Sequence, residues 1–202
     1  MSLTEPKTIS LVCLLSVVSC SSGVIEGRRD ADDRQVSCTV ASLQPSYEIG
    51  ETPNLHVFIV NSGNEPMVLP GSLDASERRL RYPHAFFEVV GPAGGLQREP
   101  LVGCGWINDL RVENFMTMAP GARLDPYGDG FFPPAEMLHS RFTAAGDYTF
   151  TFHYSTLGSH VKDWQPSPLS SGSLRLPPPV LDRLKRVPRL TLECSVTVTV
   201  RP

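Results

Sequence analysis

Five cysteines, five histidines and 21 acidic residues are the side chains that could carry chemistry in this 202-residue chain, and their spacing limits what they can do. A zinc site needs ligands at short intervals. His56, His84, His139, His153 and His160 include no pair at such spacing, and His153 falls on the polar phase of its segment. Asp125, Asp129 and Gly130 in LDPYGDGFF could suggest calcium, but the twelve-residue ligand loop is missing and Gly-Asp-Gly is ordinary turn chemistry. No Gly-x-Ser-x-Gly elbow, phosphate-cradling glycine loop or dinucleotide fingerprint occurs. The expectation is a protein that is not an enzyme and carries no metal and no cofactor.

The elements that would hold these residues begin with an apolar run, ISLVCLLSVV from Ile9 to Val18, which stops at Cys20 and SSG. About ten apolar residues suit an export signal and are too few to span a bilayer. Val17, Val18, Ser19 and Cys20 resemble the lipobox of bacterial lipoproteins. That resemblance implies cleavage before Cys20, with lipid on its thiol and a place in the cell envelope. The protein would then be anchored to a bacterial membrane, the outer membrane first, facing the periplasm or the exterior. The opening MSLTEPKT departs from the pattern: Lys7 is its only basic side chain and Glu5 offsets it. An ordinary cleaved signal is the main rival. Residues 1–19 are thus expected as signal, 20–35 as a polar flexible tether, and 36–202 as a single domain.

A net charge of −3 with basic residues scattered among acids gives no field of one sign, which argues against nucleic acid as partner. Nineteen prolines and sixteen glycines fall between apolar stretches, the punctuation of short strands. Val36, Cys38 and Val40 alternate with polar residues, as do Leu55, Val57 and Ile59. Tyr148, Phe150, Phe152 and Tyr154 alternate with Thr149, Thr151 and His153; Leu190 to Val200 puts six apolar side chains on one face. The predicted fold is all-β, a single immunoglobulin-like Greek-key sandwich. Gly146, Asp147 and Tyr148 resemble the tyrosine corner of such sandwiches. Tyr47-x-x-Gly50-Glu51 with the strand that follows resembles the opening hairpin of bacterial immunoglobulin-like domains and of BsuPI-type proteinase inhibitors, which implies inhibition as an alternative function.

Between the last two strands lies a Pro-rich insertion, Ser155 to Arg189, far longer than a hairpin loop. Val180, Leu181, Leu184 and Val187 have helical spacing and predict about two turns of helix. Two roles stand open for this insertion. It is either a recognition loop, with Trp164, Leu181 and Leu184 as its candidate residues, or structural cover for a sheet edge. Removing Cys13 and Cys20 leaves Cys38, Cys104 and Cys194. Cys38 and Cys194, on the apolar phases of the first and last strands, which in immunoglobulin-like sandwiches often run side by side, are candidates for a disulfide, with two buried free thiols as the other outcome. VGCGWIN around Cys104 resembles the nucleophile region of papain-like proteases but lacks the preceding cysteine and serine and the following long helix. The expected function is a monomeric, non-catalytic binding or structural module. It would be held to the membrane through lipid on Cys20, with an unknown envelope protein or polysaccharide as partner.

Overall fold

A computed structural model of the chain describes residues 24–31, 35–71, 76–98, 108–128, 140–165 and 176–202. Residues 17–20, expected as a lipobox, and also Cys104 and His139, lie outside the described residues. Strand β1 (Val36–Ser42) leads through a short bend into β2 (Ser46–Glu48), and β3 (Leu55–Asn61) returns antiparallel to β1, with Cys38 opposite Ile59 and Val40 opposite Val57. Then come β4 (Met67–Pro70), β5 (His84–Val90), β6 (Leu96–Arg98), β7 (Phe115–Met118), β8 (Arg123–Leu124) and β9 (Ser140–Phe142). Two long strands close the fold, β10 (Gly146–Ser155) and β11 (Thr191–Arg201).

One sheet has the order β1-β3-β8 and the other β2-β11-β10-β5, while β4-β7 and β6-β9 are two-stranded ribbons. The architecture is an all-β, immunoglobulin-like sandwich. Its core is the apolar phase of each strand turned inward: Val40, Val57 and Ile59 from the first sheet meet Phe150, Phe152, Tyr154 and Val198 from the second. Each such side chain, taken fully from water, contributes about 1.5–3 kcal/mol. The chain changes sheet between β1 and β2, because β2 joins the end of β11 in parallel, Ser46 opposite Thr199.

The opening motif has a physical basis in this corner. The Tyr47 hydroxyl donates to the Asn54 carbonyl at 3.0 Å and accepts from the Asn54 N–H at 3.1 Å. Gly50 takes a positive φ of 93°, and a Glu51 carboxylate oxygen accepts the Glu48 N–H at 2.7 Å.

Tyr148 forms the expected corner. Its hydroxyl lies 2.7 Å from the carbonyl oxygens of both Ala144 and Gly95, the one four residues back and the other across the fold. Gly91 and Gly95 carry no side chain because a Cβ at either would run into the Tyr148 ring or hydroxyl. Tyr148→Phe should keep the packing and leave these carbonyls without their donor, a loss of about 1–3 kcal/mol in denaturant unfolding. A loss below about 0.5 kcal/mol would show that the corner bond is not holding the fold.

Three expectations change. Residues 24–31 are not a free tether: Val24 bridges His160, Asp30 bridges Arg189, and Ile25 is buried. The folded domain therefore starts by Val24 rather than at Val36. An apolar pair and an arginine, each with a waiting partner in the insertion, outweigh the polar composition of the stretch. Strands β1 and β11, expected side by side, belong to different sheets, so the Cys38–Cys194 disulfide present here staples one sheet to the other, with the two Cα atoms 5.8 Å apart.

Candidate functional site

The long connection after β10 folds inward over its described length. A 3-10 turn, Val161–Trp164, is followed after the undescribed 166–175 by helix α1, Pro178–Lys185. Prolines suit the start of this helix because the first N–H groups have no partner there, and Arg183 and Lys185 in its last turn complement the dipole. Spacing of three to four residues places Val180, Leu184 and Val187 on one side. There they bury with Ile25, Val68, Leu110, Phe115 and Trp164 in a second apolar cluster, separate from the sandwich core.

Arg28 locks this cluster. Its Nε donates to the Val187 carbonyl at 2.9 Å, and its terminal nitrogens donate to the carbonyls of Gly158, Thr156 and Pro188. The guanidinium stands 5.0 Å from the centre of the Trp164 ring. Burial, and then the neighbouring Arg189, push Arg28 down to about 10, which leaves it charged at neutral pH. Trp164 Nε1 donates to the Gly158 carbonyl at 3.0 Å. A Cβ on Gly158 would lie 2.7 Å from the Tyr82 ring and 2.8 Å from Trp164 Nε1.

Tyr82 lies between Trp164, ring centres 5.5 Å apart, and His84, ring centres 3.8 Å apart. Burial, reinforced by Arg79, holds His84 below its ordinary value of 6.5. The unfolded chain therefore takes up a proton as pH falls through that value while the folded chain resists it, so this group's effect is a stability lost on acidification. Between about pH 7 and about pH 5 the melting temperature of the wild type should fall further than that of His84→Gln. Equal falls would contradict the assignment.

The outer face of the four-stranded sheet carries a second grouping. The His153 ring stacks on Phe86, 4.8 Å between centres, and stands between Glu88 at 3.5 Å and Glu193 at 3.6 Å. The Arg79 guanidinium lies 3.9 Å from the Phe86 ring centre and 3.8 Å from Glu88. Pairing creates this group, since His153 is opposite Phe86 on β5 and Glu193 on β11. Glu88 and Glu193 are more than 60% exposed, so the grouping is open to solvent.

On the other sheet, His56 Nδ1 is 2.9 Å from Asp125. Among the described residues no hydroxyl or thiol is hydrogen-bonded to His56. Among the described residues, too, no group of three or more His, Cys, Asp or Glu is placed to hold a metal ion, and no helix is long and apolar enough to cross a membrane.

Of the residues expected to act, Cys20 lies outside the described residues and Cys38 is bonded to Cys194. Trp164 and Leu184 are wholly buried, which removes them as surface recognition residues, while Leu181 is half-buried. They fail as a recognition surface because the same apolar character that suggested binding draws them into the second cluster. Arg28 and the Phe86, Glu88, His153 and Glu193 grouping escaped the sequence reading. Only His153 left a trace, on the polar phase of β10.

No family model matches the chain, and no curated protein matches it. A solved structure of native alpha-2-macroglobulin from Escherichia coli, spanning domain MG7 to the C-terminus, is similar over 87% of this chain at 16% identity, with a TM-score of 0.36. The chain spans 17% of that structure's length, and a likeness of this degree decides neither fold nor function.

Proposed function

We propose that the chain is a lipid-anchored protein of a bacterial cell envelope that works as a non-catalytic binding or structural module. The observation that carries this reading is the open face of the four-stranded sheet. There Arg79, Phe86, Glu88, His153 and Glu193 combine ring surface with charge in front of a rigid sheet, while the polar groups at the buried end cluster are committed to holding the fold. Ring faces with flanking carboxylates suit a protein or polysaccharide of the envelope. An inhibitor would need a rigid loop turned outward to fill a protease cleft. Over 156–165 and 176–190 the long connection turns inward instead, through Trp164 and Leu184.

Two variants test the two halves of this reading. Cys20→Ala should release the protein from membranes or leave an uncleaved precursor, and fractionation identical to the wild type would refute the anchor. Phe86→Ala with His153→Ala, on a solvent-facing sheet surface, should leave the fold intact and abolish cross-linking to envelope partners at this face. Undiminished cross-linking would refute the sheet face as the binding surface.

A further inference from the structure

Residues 24–31 are docked on the domain, and this shortens the distance between the domain and any lipid on Cys20. Only three residues separate Cys20 from Val24, which is paired with His160, and the four extended Cα-to-Cα steps between them reach at most about 14 Å. An acylated Cys20 sits at the bilayer surface. The end of the sandwich built from residues 24–31, the 3-10 turn and α1 is then held against that surface and cannot swing away on a tether.

The composition of this end fits such a neighbour. Val24 and Leu157 are 61% and 41% exposed although apolar. Residues 24–31, 156–165 and 176–190 together carry seven Arg and Lys against four Asp and Glu, in a chain whose net charge is −3. Arg29, Lys162 and Arg186 are exposed and Arg183 is half-buried; none of the four is paired with a carboxylate among the described residues. We infer that this end is a membrane-facing surface: Val24 and Leu157 meet the interfacial layer, and Arg29, Lys162, Arg183 and Arg186 meet the phosphates of anionic lipids. The orientation leaves the sheets standing away from the membrane. The inference rests on acylation of Cys20.

The test uses the full chain processed in its own envelope and reconstituted in vesicles, either zwitterionic or containing phosphatidylglycerol. Hydrogen exchange of residues 156–164 and 178–190 should slow by about five-fold or more on anionic vesicles, the scale of one basic residue at such a surface. The triple variant Lys162→Glu, Arg183→Glu, Arg186→Glu should lose that difference, while Glu193→Lys on the sheet face should keep it. Slowing confined to the sheet faces, equal exchange on both vesicles, or an unchanged triple variant would overturn the membrane-facing surface and leave the anchor standing. A mature protein with no lipid on Cys20, read by intact mass, would overturn both.

Discussion

A chain with Cys38 and Cys194 both replaced by alanine should be less stable than the oxidised wild type by about 3–5 kcal/mol. The bond closes a loop of sequence separation 156, nearly the whole domain, and the chain-entropy account gives such a loop about 5 kcal/mol at most. Its position adds to the effect. Strands β1 and β11 share no hydrogen bonds, so at this edge the sheets are joined by side-chain packing and by the disulfide. In thermal unfolding the loss should appear as about 10 °C or more. Equal melting of the double variant and the wild type under non-reducing conditions would mean that the staple adds nothing to the packed edge.

Trp164→Ala should cost about 3–5 kcal/mol, because the side chain is wholly buried and its removal leaves a large void. It also strips the Gly158 carbonyl of its indole donor and takes away the ring beside the Arg28 guanidinium. Leu184→Ala should cost about 2–5 kcal/mol, while half-buried Leu181→Ala should cost about 1 kcal/mol or less. The damage should be local first, with faster hydrogen exchange at Ile25 and Ala31, whose N–H groups bond to Ser159 and Arg189. If Trp164→Ala melts like the wild type, the insertion is a separable loop, and the cluster it forms with residues 24–31 does not support the domain.

These two results bear on which parts of the structure could be read from the sequence. Long strands were legible because a period of two over seven or more residues leaves few alternatives: β10 and β11 bury or half-bury the side chains their alternation marks, and Tyr148 occupies its corner. The helix was legible from Val180, Leu184 and Val187 for the same reason at a different period. Strands of two to four residues such as β2, β4 and β8 were not, since so short a segment shows no period and exists only through its partner. Arg28 was hidden for a deeper reason. Its four acceptors are backbone carbonyls of residues 156, 158, 187 and 188, and every residue has a carbonyl. The grouping around His153 was hidden by register, because Phe86, Glu88 and Glu193 approach it only once three strands are aligned.

The docked segment also changes what the proposed anchor would mean. With a free stretch from Cys20 to Gln35, lipid on Cys20 would set only the compartment; with Ile25 buried and Arg28 locked, it would set the posture of the domain as well. The most direct measurement is the intact mass and N-terminal sequence of the protein extracted from its native membrane. The account predicts a mature chain that begins at Cys20 and carries diacylglycerol on that cysteine. A mature chain that begins elsewhere, or that begins at Cys20 without lipid, would contradict it.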